Sequence, residues 1–218
     1  MDFKYQMERD ILYVMEKEQQ ILQEDSISTI KNKVIQYNIN LLEEFRCAMD
    51  DDELERACEA LATARQVIIF AEGGSASMAN YAKASFIHTG IYCRLEVDAS
   101  MQVMAAEYVT HEDVVIGITH SGRITNTIEA MGVAQNRGAT TIALVGSHGT
   151  PVCKYADIVL AGDIDHPFDL SDFQGSRLEE FSVLSVLQIG VMMRNHEEAI
   201  EVAKRVSDSA ELRRLKKN

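Results

Sequence analysis

In the first quarter of the chain, apolar residues recur every three or four positions, the spacing that gathers one face of an α-helix. Met7, Ile11, Met15 and Leu22 share one side of a helix over 3–24, with charges on the others. Ile30, Val34, Tyr37, Leu41 and Phe45 continue at the same spacing and predict a second amphipathic helix. Asp50 followed by Glu53 resembles a capping box, an acidic side chain standing in for Ser or Thr, and opens a helix through Leu54, Cys58 and Leu61. After Ala64 the period changes. VIIFA (67–71), YCRLEV (92–97), VVIGIT (114–119), TIALV (141–145) and DIVLA (157–161) are short apolar or β-branched runs. Helical patterns separate them, at 76–88, 100–108 and 124–137 and a shorter one at 151–155, and a long helix follows near 176–194. Strands alternating with helices imply βαβ units and a parallel sheet covered on both faces. The runs are continuously apolar, as strands buried on both sides must be. The pattern therefore predicts a doubly wound α/β domain over 48–195, a helical extension over 1–47 and a helical tail over 196–218. The tail is basic at its end (Arg213, Arg214, Lys216, Lys217), which suits a helix C-terminus.

Composition changes this picture little, and charge changes it more. The chain has 218 residues with 46% hydrophobic and 25% charged, ordinary globular usage. Its 21 Lys+Arg against 34 Asp+Glu leave a net charge of −13. A general nucleic-acid binder needs a basic face, and an anionic membrane surface would repel this chain, so neither partner is expected. Cys47, Cys58, Cys93 and Cys153 are scattered without a CxxC pair, which reads as reduced thiols of a cytoplasmic protein with no zinc site. No signal core or membrane-length run is visible.

In open parallel sheets, ligands bind beyond the carboxyl ends of the strands. The loop after the first strand, Ala71-Glu72-Gly73-Gly74-Ser75-Ala76-Ser77, opens a helix and has glycines where backbone can approach a ligand closely. It has the anatomy of an anion site at a helix N-terminus, with Gly74 at the turn and the Ser75 and Ser77 hydroxyls as further donors. A dinucleotide fingerprint would place glycine at positions 71 and 76, where both residues are alanine, although acidic residues do follow at Glu96 and Asp98, as that fingerprint requires for the ribose. The loop after the third strand, Thr119-His120-Ser121-Gly122-Arg123-Ile124-Thr125-Asn126, is again rich in hydroxyls and again starts a helix. Strand alternation places Thr119 and Ser121 on one side and His120 on the other, packed against a helix. Thr119, Ser121, Gly122 and Thr125 join Gly74, Ser75 and Ser77 as the candidate binding set for a phosphate and sugar hydroxyls.

This constellation resembles the sugar isomerase (SIS) domain over residues 50–195. Gly73-Gly74-Ser75, Thr119-His120-Ser121-Gly122, Ala134 with Gly138, Thr150-Pro151 and Tyr155-Ala156-Asp157 carry the likeness. Ser176-Arg177, Asp98 and Gln102 look most like the sugar-phosphate-sensing half of RpiR-type regulators, and Gly73-Gly74-Ser75-Ala76 is similar to phosphoheptose isomerases. The resemblance implies a flavodoxin-like three-layer sandwich with a five-stranded parallel sheet, assembled as a homodimer or homotetramer. It also implies a phosphate held by Ser75, Thr119 and Ser121. The chain departs from the family at Ala71, Ile124 and Asn126, where glycine, threonine and glutamate are common. Positions that hold catalytic Glu and His in arabinose-phosphate isomerases align with Ser100 and Val103. Those of phosphoheptose isomerases align with Ser85 or Ala84 and with Ser182. Glu180 lines up with a glutamate in the last helix of hexulose-phosphate-type isomerases.

Aldose–ketose isomerisation moves a proton between C1 and C2 through an enediol, and needs a carboxylate base with a partner for the hydroxyl proton. Glu180 is the best base, Glu179 the next, and His88 at the end of a helix is a candidate acid–base partner. His166 lies in the polar segment 162–175, a candidate lid, and Arg177 is placed to meet a phosphate or a carboxylated sugar, or to pair with Asp157 or Asp172. No residues have metal-ligand spacing, so neither a metal nor a cofactor is expected. The expectation is a chain that binds a phosphorylated sugar, an amino sugar among the candidates, and isomerises it without a cofactor. The alternative is a non-catalytic RpiR-type sensor without its DNA-binding domain, since residues 1–30 hold one acidic helix where three would be needed.

Overall fold

The computed structural model describes residues 24–164 and 174–213. The helix read over 3–24, the segment with His166 and Asp172, and Arg214, Lys216 and Lys217 lie outside them. Two helices come first, α1 (Ile27–Ala48) and α2 (Asp51–Thr63). The remaining elements are β1 (Gln66–Phe70), α3 (Ser75–His88), β2 (Cys93–Glu96), α4 (Ala99–Ala106), β3 (Asp113–Ile118), α5 (Thr125–Asn136) and β4 (Thr140–Leu144). A 3₁₀ turn (Pro151–Tyr155), β5 (Ile158–Leu160), α6 (Gln174–Arg194) and α7 (His196–Arg213) complete them.

Side-chain caps start several of these helices. Ser26 Oγ accepts the Thr29 N–H at 3.2 Å, and Asp98 Oδ1 accepts the Met101 N–H at 3.1 Å. Asp50 accepts from the backbone of Asp52 and Glu53, at 2.9 and 3.2 Å. The Glu53 carboxylate, expected to reach back as the other half of a capping box, instead takes Arg56 at 2.6 Å and the Val159 N–H at 3.2 Å. It thereby satisfies a donor on edge strand β5.

All five strands are parallel, in the order β2-β1-β3-β4-β5. This is the three-layer α/β arrangement read from the alternating pattern. Alternate residues of each strand feed two cores. Val67, Ile69, Ile116, Ile142 and Leu160 pack with Phe45, Leu61, Phe86 and Leu184 on one face. Ile68, Phe70, Val115 and Ala143 pack with Ala105, Ala130 and Met131 on the other. The chain leaves β1 toward β2 on one side and enters β3 on the other, so the strand order reverses between β1 and β3. The carboxyl ends of those two strands diverge into a crevice.

Buried Asp113 anchors the start of β3. It takes a two-pronged bond from Arg65, at 2.9 and 2.7 Å, and the Thr110 N–H at 2.8 Å. Among the described residues no helix is long and apolar enough to cross a membrane, and no three His, Cys, Asp or Glu cluster as a metal site.

Candidate functional site

The crevice holds a pocket of about 340 Å³ lined by Glu72, Gly73, Gly74, Ser75, Thr119, His120, Ser121, Ile124 and Arg177. Three segments build it. Gly73 takes a left-handed φ of 56°, which turns the chain from β1 into α3 and brings the helix start to the pocket wall. The first N–H groups of a helix have no partner within it, so this wall offers donors and the positive end of a dipole. Ser75 is buried there.

The second segment is a turn. β3 ends at Ile118, and the Gly122 N–H donates to the Thr119 carbonyl at 2.9 Å. Gly122 has φ 61°, and a Cβ on it would lie 2.2 Å from Thr150 Oγ1, so this position has room only for glycine. The turn corrects the expectation for His120. Alternation stops with the strand, so Thr119, His120 and Ser121 all line the pocket. The His120 ring packs over Gly146, where a Cβ would come within 2.9 Å of its Cε1.

The third segment is the first part of α6. Arg177 and Glu180, three residues apart, share a helix face and pair at 2.7 Å, with Arg177 Nη1 also 3.5 Å from Ser75 Oγ. The pairing of Arg177 foreseen with Asp157 does not form, because Asp157 accepts from the Thr141 N–H and hydroxyl, both at 2.8 Å. Glu180 is 3% exposed. Burial pushes its carboxyl above the usual value, an effect that Arg177 opposes but does not cancel. Its Oε1 has no hydrogen-bond partner, and His120 Nδ1 lies 3.9 Å away. The Thr119 hydroxyl is likewise buried without a partner, at a residue 2% exposed.

Of the residues singled out from the sequence, Gly74, Ser75, Thr119 and Ser121 converge on the pocket, and Glu180 lies behind Arg177 at its rim. Gly122 is buried and shapes the turn without lining the pocket. Ser77 is exposed and spends its hydroxyl on the Gly74 carbonyl at 2.8 Å. Thr125 is exposed in the first turn of α5, outside the lining. His88 is exposed at the far end of the 14-residue helix α3, about 20 Å of helix from Ser75 at its start. This distance removes it as an acid–base partner. Glu179 turns toward α1. Burial, and after it the charge of Glu179, push the Tyr37 hydroxyl above its usual value. Sequence reasoning missed Glu72 and misdirected His120. The signal for the first was present in the glycine loop; for the second, it lay in a Ser-Gly pair ready to end a strand.

Residues 60–187 match the SIS domain family, more than half of the chain. The chain belongs to that family. It is 28% identical over 195 residues to the HTH-type transcriptional regulator HexR of Escherichia coli, a match covering 89% of this chain and 67% of that protein. Among solved structures it is similar to the sugar isomerase domain of an RpiR transcription factor from Sphaerobacter thermophilus. That match has TM-score 0.71 and 22% identity, over 82% of this chain and 98% of the other. It is also similar to the Vibrio vulnificus NanR protein complexed with ManNAc-6P, with TM-score 0.76 and 17% identity over 83% of this chain and 69% of NanR. At these identities the structural likenesses establish the fold of this SIS domain.

Proposed function

We propose that this SIS domain binds a phosphorylated sugar in the β1–β3 crevice and acts as a phosphosugar-responsive module. The observation that carries the reading is the Thr119 hydroxyl, buried at 2% exposure and without a partner at the wall of a pocket that also presents Ser75, Ser121, Arg177 and the start of α3. A buried polar group left unsatisfied costs about 1–3 kcal/mol, and an anionic ligand oxygen that accepts its hydrogen recovers that cost. Ser75, Ser121, the start of α3 and Arg177 supply further donors. The regulator HexR and NanR, solved with a sugar phosphate, support the same reading.

A second reading, aldose–ketose isomerisation, is favoured by Glu180 alone. A buried carboxyl with a raised pKa, 3.9 Å from an imidazole, is suited to proton transfer. In this reading an arriving phosphate draws Arg177 from Glu180. The freed carboxylate then takes the C2 proton to give the enediol and returns it to C1, while His120 carries the C2 hydroxyl proton to the C1 oxygen.

Calorimetric titration with hexose, pentose and amino-sugar phosphates tests the first reading, and proton NMR of the bound sugars in D₂O tests the second. The expected result is saturable binding that requires the phosphate and weakens roughly tenfold in Thr119→Val. Equal binding of unphosphorylated sugars would overturn it. Loss of the C2 proton signal that Glu180→Gln abolishes establishes turnover; binding without exchange leaves the responsive module.

A further inference from the structure

Glu72 is out of place in an anion pocket. Its side chain lines the same space as Ser75, Thr119 and Arg177, yet it is a carboxylate and, when ionised, can only accept. Two amides hold it there. Gln102 Nε2, on α4, lies 3.5 Å from Glu72 Oε1, and Asn126 Nδ2, on α5, lies 3.3 Å from Oε2. The Gln102 side is built into the core, since Gln102 and Thr127 are both fully buried. The Thr127 hydroxyl donates to Gln102 Oε1 at 3.1 Å, and Gln102 Nε2 also faces the Ala71 carbonyl at 3.4 Å. With acceptors on its nitrogen side and a hydroxyl on its oxygen side, this amide has a single orientation and presents its N–H to Glu72.

The two amides fix the carboxylate without neutralising it. Glu72 forms no ion pair among the described residues. Arg177, a cation of the pocket lining, pairs with Glu180 at 2.7 Å. A negative charge held by neutral donors at a pocket wall matches a ligand that brings its own positive charge. A sugar phosphate carries about −1.5 to −2 at neutral pH, and the protein itself is at −13, so an ammonium on the sugar also lessens the repulsion on entry.

Resting on the phosphosugar reading above, we propose that Glu72 is a specificity-determining residue that selects a phosphorylated amino sugar with a free amine. The phosphate meets the hydroxyls and helix start at Ser75, Thr119 and Ser121, and the ammonium donates to the Glu72 carboxylate.

The test is a calorimetric comparison of glucosamine 6-phosphate, its N-acetylated form and glucose 6-phosphate on the full chain. The amine form binds roughly tenfold more tightly than the other two, the difference between a charge-assisted and a neutral hydrogen bond. Glu72→Gln keeps the shape and removes the charge. In that variant the preference disappears, the amine form binding no more tightly than glucose 6-phosphate. Equal affinities for the three ligands in the wild type, or a preference that survives Glu72→Gln, overturn the proposal and leave phosphosugar binding intact. If no sugar phosphate of any kind binds, the phosphosugar reading itself fails, and this proposal with it.

Discussion

Glu180 ties proton binding to the stability of the fold. Burial raises its pKa in the folded state above the unfolded value of about 4.3, so the folded chain holds this proton more tightly. The group's contribution to stability is full below the unfolded value and is lost as pH rises through the folded one. Glu180→Gln mimics the protonated form at every pH. Its melting temperature, compared with the wild type in a pH series, is therefore expected to rise relative to it from acid toward neutral pH. A constant difference would show that Glu180 is not buried as described. At this scale the site was legible where chemistry is local. Ser75, Thr119 and Ser121 stand out by residue type and loop position, and Glu180 through its alignment with a glutamate of hexulose-phosphate-type isomerases. Glu72 does not, because what fixes it comes from Gln102 and Asn126, thirty and fifty-four positions away, and that juxtaposition exists only after folding.

Two glycine turns carry the site's elements, and they differ in what they tolerate. Gly73 and Gly122 both have left-handed φ, but a Cβ at Gly73 meets nothing within 4 Å, whereas at Gly122 it collides with Thr150. Gly73→Ala is expected to cost about 1 kcal/mol of strain alone. Gly122→Ala adds overpacking against Thr150 and is expected to cost about 2–4 kcal/mol. Denaturant unfolding of the two variants checks the order; equal costs would mean that Thr150 moves aside freely. All five strands and the helices between them were legible within one or two residues: β1, β3 and β4 as continuous apolar runs buried on both faces, and edge strand β2, which carries Arg94 and Glu96, through its place in the alternation of strands and helices. At the end of β3 the single residue of difference mattered, since Ile118 and Thr119 look equally strand-like. A turn closed by Gly122, rather than any loss of β-propensity, ends the strand and swings His120 inward.

At the scale of the whole molecule, one face of α6 is apolar and exposed among the described residues. Phe181, Ile189 and Met193, spaced four or eight residues apart, are 44, 62 and 70% exposed, and Tyr81 stacks on Phe181 with ring centres 4.6 Å apart. Such a stripe at one helix face is costly to leave in water. We propose that it meets a second copy of the chain, in keeping with the homodimer or homotetramer implied by the family. Sedimentation of the wild type is expected to show an oligomer, and Ile189→Glu with Met193→Glu a smaller species that still binds ligand; an unchanged mass would assign the contact elsewhere. The crevice has a different consequence. Its two main walls grow from β1 and β3, which are joined by a continuous parallel register from Gln66–Asp113 to Phe70–Gly117. Neighbouring strands lie about 4.8 Å apart whatever their side chains. The sheet therefore works as a fixed caliper, and the gap between the jaws is set by backbone geometry alone. Changes confined to the jaw tips, such as the carboxylate at position 72, can alter which molecule is gripped while the instrument keeps its calibration.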